Sequence, residues 1–216
     1  MMPIENYPIS RVAMVTGAAG LIGGTVVRRL KAEGWKVAGI DLNQANVDLF
    51  LQEDVADRAA MEEAAVRIAA ELGPIELLVT AAGDYEKIAI GQMSLARWQR
   101  MLDVWLGGTA NACAAVVPKM VEAGFGTVVL LSSDLSSQEK QPSYVAAASG
   151  TVIAFAKSFG CEVAADGVTV NCLATRPPVN PEWVAQTVSF LANEGQYYAG
   201  QVMFLGSDTE LEKAEK

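Results

Sequence analysis

Apolar and polar positions along this chain switch repeatedly between two periods. RVAMVTG (11–17) is a short apolar run closed by glycine and predicts a buried strand. LIGGTVVRRLKAEG (21–34) then repeats apolar residues at helical spacing and stops at Gly34. WKVAGID (35–41) predicts a second strand, ADRAAMEEAAVRIAAELG (56–73) an amphipathic helix closed by Gly73-Pro74, and IELLVTAAG (75–83) a third strand. Farther on, LARWQRMLDVWLGGTANACAAVVPKMVEAG (95–124) is mostly helical in pattern, and GTVVLLSS (126–133) is strand-like. SYVAAASGTVIAFAKSFGCEVAAD (143–166) and PEWVAQTVSFLANEG (181–195) predict helices, and GVTVNCLA (167–174) and GQVMFLG (200–206) predict strands.

The strands are nearly continuous apolar runs, as parallel strands are when helices cover both faces. A Rossmann-like, doubly wound α/β fold with a parallel sheet follows. The 216 residues suit a single domain over 1–216, with about 1–9 and 209–216 expected to fray. Neither an internal repeat nor a low-complexity segment interrupts the pattern.

Composition narrows the chemistry. Apolar residues make up 51% of the chain, yet no uninterrupted apolar run reaches the ~18 residues of a membrane span, so no membrane partner is expected. The start, MMPIENYPISR, has neither the basic nor the apolar region of a secretory signal. Cys113, Cys161 and Cys172 form no CxxC pair, which predicts reduced thiols and a cytoplasmic location. A net charge of −9 argues against nucleic acid as a partner. The chain has no histidine, so His-based triads and His metal sites are excluded.

Candidate chemistry begins where the first strand meets the first helix. TGAAGLIGG places Gly17, Gly20, Gly23 and Gly24 at that junction, with Leu21 and Ile22 between them. Absent side chains let backbone amides approach a pyrophosphate, and the helix N-terminus favours an anion. Asp41 ends the next strand, where a carboxylate can accept both ribose hydroxyls and repel a 2′-phosphate, so NADH is expected over NADPH. The same glycines would also serve tight helix–strand packing alone.

With these residues in view, the chain resembles the short-chain dehydrogenase/reductase family over about residues 10–208. Its TGxxGxxG spacing is similar to that of the family's extended members. Asp54-Val55 resembles the pair that the family places beside adenine, and TAAG (80–83), with Ala82 and Gly83, its NNAG turn. On this alignment VDLFLQEDV (47–55) contains the family's third strand, and IELLVTAAG the fourth. Ser133 aligns with the catalytic serine and Tyr144 with the catalytic tyrosine. The resemblance implies an NAD-dependent alcohol dehydrogenase or carbonyl reductase acting on a small carbonyl or alcohol.

The rest of the catalytic pattern departs from the family. Ala148 stands at the YxxxK lysine and Trp105 at the asparagine of the long helix. Thr175-Arg176 replaces the Pro-Gly pair beside the nicotinamide, and Asn180 replaces a cofactor-holding threonine. Only 177–180 separate that loop from the closing helix, so the substrate lid is shortened. A lysine about 4 Å from a phenolate favours it by up to ~4 kcal/mol at an effective dielectric of 20. Its loss cripples proton abstraction from an alcohol more than proton donation to a carbonyl. Lys140 and Lys157 are nearby cations, but Lys157 lies about 20 Å along the helix from Tyr144.

These departures predict a catalytically silent or impaired subunit with an NAD-type adenosine site. It would assemble with itself or with an active homologue through helices at about 95–120 and 144–165, whose small residues GGTANACAA and AAASG suit close packing. Two alternatives remain open: an atypical reductase that uses Tyr144 and Ser133, and a non-redox enzyme whose pocket Trp105 shapes.

Overall fold

Successive side chains of β1 (Val12–Thr16) serve two different cores. Val12 and Met14 pack on one face with Met61, Ile68 and Val116, and Ala13 and Val15 on the other with Val26, Leu30 and Val188. A strand buried on both sides needs helices above and below it. The computed structural model, which describes residues 10–86, 88–133, 142–176 and 179–206, has that arrangement. The expected fraying at 1–9 and 209–216 concerns residues outside these ranges.

The other strands are β2 (Lys36–Ile40), β3 (Leu49–Leu51), β4 (Ile75–Thr80), β5 (Gly126–Ser133), β6 (Val168–Thr175) and β7 (Val202–Leu205). They form one parallel sheet in the order β3-β2-β1-β4-β5-β6-β7. Between them run α1 (Leu21–Ala32), α2 (Arg58–Glu71), α3 (Leu95–Leu102), α4 (Gly108–Ala123), α5 (Ser143–Val163) and α6 (Pro181–Glu194). Helices α1 and α6 cover one face, and α2, α4 and α5 the other. Because all strands are parallel, their C-terminal ends share one edge, and the order reverses between β1 and β4. That crevice is where an open α/β sheet binds ligands.

Side-chain caps fix several helix starts. Asp57 accepts the Ala60 amide at α2, Ser94 the Arg97 amide at α3, and Asn180 the Glu182 amide at α6. Asn180, the residue in place of a cofactor-holding threonine, therefore serves the helix, with Pro181 in its first turn. At the far end of α1, Ser189 of α6 donates to Glu33 at 2.7 Å.

The helical stretch 95–124 is interrupted. A π-helical turn, Asp103–Gly107, separates α3 from α4 and carries Trp105. Part of the small-residue stretch in α4 also faces inward. A Cβ added to Gly108 would lie 2.5 Å from Val55 Cγ2, and Thr109, Ala112 and Cys113 are buried. The segment Ser143–Asp166 is long and apolar enough to cross a membrane, but Val152 and Ala156 are buried in the core beneath β5 and β6.

Candidate functional site

The adenosine end of the crevice is built largely from backbone. Gly17, just past β1, has φ +68, and a Cβ there would stand 2.5 Å from the Ala81 carbonyl oxygen. Only glycine lets the end of β1 lie this close to the end of β4. A Cβ on Gly23 would overlap the Gly17 carbonyl, which brings α1 equally close to the loop. Gly20 caps α1 without offering it a side chain.

Two carboxylates flank this loop. Asp41 follows β2, and its Oδ2 accepts the Ala19 amide at 3.0 Å while Oδ1 accepts the Asn43 amide at 2.9 Å. Asp54 follows β3, accepts the Ala56 amide at 3.0 Å and pairs with Arg100 of α3 at 2.8 Å. Burial pushes the Asp54 carboxyl up, but its bonds to Arg100 and the Ala56 amide outweigh burial and hold it below the usual carboxylate range. In return, the bond to Asp54 raises Arg100.

These residues line an open cleft of about 660 Å³, whose wall includes Gly17, Gly20, Asp41, Asp54, Val55, Ala82 and Gly83. Three residues of the predicted set lie off that wall. Leu21 is 72% exposed at the start of α1, Ile22 packs against the α1–α6 core, and Gly23 is buried. Sequence reasoning missed Arg100 on the wall. Its link to Asp54 is a tertiary contact between α3 and the end of β3, and no local motif announces it.

The reacting end is built from side chains, and its tyrosine is buried. Tyr144, in the first turn of α5, is 2% exposed, and its hydroxyl accepts the Ile88 amide at 2.9 Å. It packs with Met101, Val145 and Ala148, flanked by Ile88, Met93, Trp98 and Trp105. Ala148, at the lysine position, has no exposed surface. Trp105, at the asparagine position, lies on Gly83, and its Nε1 donates to the Asp84 carbonyl at 3.1 Å.

Ser133 ends β5, half-buried, in register with Thr175 of β6, and the Arg176 amide donates to the Leu205 carbonyl. Lys157 is exposed on α5, and Lys140 lies outside the described residues. Burial pushes the thiols of Cys113 and Cys172 up to about 12, so neither supplies a nucleophile at neutral pH.

The donors and acceptors around the cleft thus fit the adenosine and pyrophosphate of a dinucleotide. Around Tyr144 the hydroxyl accepts a backbone amide, and position 148 offers an alanine rather than a cation to a nicotinamide ribose.

Comparison with known proteins agrees with this architecture. The family profile described as short chain dehydrogenase matches residues 11–187. The chain is 37% identical to 2-dehydro-3-deoxy-L-rhamnonate dehydrogenase (NAD(+)) of Sphingomonas sp. (strain SKA58), over 76% of this chain and 70% of that protein. It is 32% identical to D-threitol dehydrogenase of Mycolicibacterium smegmatis, over 76% and 68% respectively. The ligand-free aldohexose dehydrogenase of Thermoplasma acidophilum superposes with a TM-score of 0.84 at 24% identity, over 93% of this chain and 94% of the other, and shares the fold. With its profile match, its sheet order and its glycine loop, the chain belongs to the short-chain dehydrogenase family.

Proposed function

We propose that this chain is a catalytically silent member of its family that keeps an NAD-type adenosine site and works within an oligomer. One observation carries the reading: Tyr144 is buried, its hydroxyl accepts the Ile88 amide, and an alanine stands beside it where a lysine would be needed. An acid/base group must reach the proton that it transfers, and this hydroxyl faces the protein's own backbone. What supports NAD over NADP is Asp41, held beside the loop by the Ala19 amide, where a 2′-phosphate would meet a carboxylate. What supports assembly through α4 and α5 is the exposed or half-buried face of α5, with Ala147, Gly150 and Ala154. The cytoplasmic expectation rests on the free cysteines.

A second reading, an atypical NAD-dependent reductase using Tyr144 and Ser133, is favoured by the relatives' names, which are those of dehydrogenases. A screen of small aldehydes, ketones and polyols with NADH and NAD⁺ separates the two. Silence predicts no turnover above the protein-free rate, with Tyr144→Phe indistinguishable from the natural protein. Turnover that disappears in Tyr144→Phe would establish the second reading instead.

A further inference from the structure

The cleft and a whole dinucleotide do not match over the ligand's full length. The open wall reaches Gly83 and Asp84. There, a Cβ built on Gly83 would meet the Trp105 indole at 3.4 Å, in ordinary contact. The segment that follows β4 is fastened over this point by three sets of bonds. Trp105 Nε1 donates to the Asp84 carbonyl at 3.1 Å. Arg97 pairs with Asp84 at 2.9 Å and with Glu86 at 2.7 Å. Tyr144 accepts the Ile88 amide from the other side. Opening the space would break these bonds and expose Met101, Val145 and Ala148, which are almost wholly buried.

Taking the adenosine site as retained, we infer that the ligand of this cleft is an adenosine diphosphate nucleotide such as ADP or ADP-ribose. A nicotinamide ring attached to it stays in solvent. The amides of the Gly17–Gly20 loop bond within the protein, so the backbone donors for the diphosphate are those of the uncapped first turn of α1, Leu21–Gly23. Asp41 is positioned for ribose hydroxyls, and Asp54 with Arg100 borders the adenine end. Glu53 adds negative charge to the wall that Asp41 lines, so a 2′-phosphate is disfavoured there. Recognition therefore ends where the diphosphate ends, and the family's second ribose and ring have no counterpart here.

The test is a calorimetric titration of the natural full-length chain with NADH, ADP-ribose, ADP and AMP, with nicotinamide fluorescence followed in the NADH arm. The inference predicts that ADP-ribose and ADP bind within about threefold of NADH, and AMP at least about tenfold more weakly. Bound NADH should emit as it does free in solution. Trp105→Asn, which makes room at Gly83, should strengthen NADH relative to ADP-ribose. The titrations of the natural chain stand even if that variant folds poorly. NADH binding more than about tenfold tighter than ADP-ribose, with enhanced emission, overturns the inference but leaves the adenosine site intact. Failure of all four nucleotides to bind overturns the adenosine site and the inference with it.

Discussion

The two ends of the crevice share one sheet edge but are made of different material. At the adenosine end, glycines at 17, 20 and 23 let backbone approach backbone, and the space that they leave is open. At the reacting end, Trp98, Met101, Trp105 and Tyr144 pack together, and Trp105 Nε1 and the Tyr144 hydroxyl bond to backbone. The difference lies in what supports each end. Backbone geometry is fixed by the strands and by the Gly17 turn, whereas side chains change one at a time. Ala148 lies inside the buried cluster around Tyr144. A lysine there would carry a charge that needs water or a partner, and the cluster could not seal over it at small cost.

Restoring that charge is the largest expected perturbation of this contrast. Ala148→Lys puts an ammonium at a position with no exposed surface. It should lower stability in urea unfolding by ~3–5 kcal/mol and bring no turnover. A lysine tolerated within ~1 kcal/mol would mean that the reacting end is open.

Tyr144→Phe comes next. It leaves the half-buried Ile88 amide without its acceptor, for a loss of about 1 kcal/mol. An active-site tyrosine would behave in the opposite way, with activity lost and stability kept.

Asp41→Ala acts on the open end. NADH affinity should fall about tenfold, equivalent to ~1.4 kcal/mol, and the gap between NADH and NADPH should narrow in calorimetry. Equal NADH and NADPH affinity in the natural chain would remove Asp41 from the account.

The smallest effect belongs to the Asp54–Arg100 pair. The folded-state pKa of Asp54 is depressed, so its contribution is present at neutral pH and lost as pH falls through that depressed value. Both partners are partly exposed, which limits the contribution to under ~1 kcal/mol. Asp54→Asn should flatten that part of the acid unfolding curve. An unchanged curve would show that Arg100 merely lies beside Asp54.

Much of this was legible in the chain itself, for reasons that differ from element to element. β5 spans 126–133 as read from GTVVLLSS, because an apolar run between Gly126 and a polar segment leaves little choice of ends. The glycine loop and Asp41 were equally readable, since they stand at the ends of short apolar runs. Trp105 and Ala148 stood out as departures, but what they build did not. The Ile88–Tyr144 bond joins residues 56 positions apart, and the fold alone brings them together. The break at Asp103–Gly107 was invisible for a related reason, because a π turn keeps the apolar residues of a helix and changes only the bonding of its backbone. Arg97 and Arg100 read as the polar face of a helix, and they take on roles only once α3 lies over Asp54 and Asp84.

Amide hydrogen exchange with and without saturating NADH tests the contrast most directly, because it reads both ends of the crevice in one sample. The account predicts slower exchange in the loop around Gly17–Gly24 and near Asp41 and Asp54. It predicts no change at Ile88, whose amide stays on the Tyr144 hydroxyl whether or not nucleotide is bound. Faster exchange at Ile88 on adding NADH would mean that the cofactor opens the reacting end, which contradicts the account.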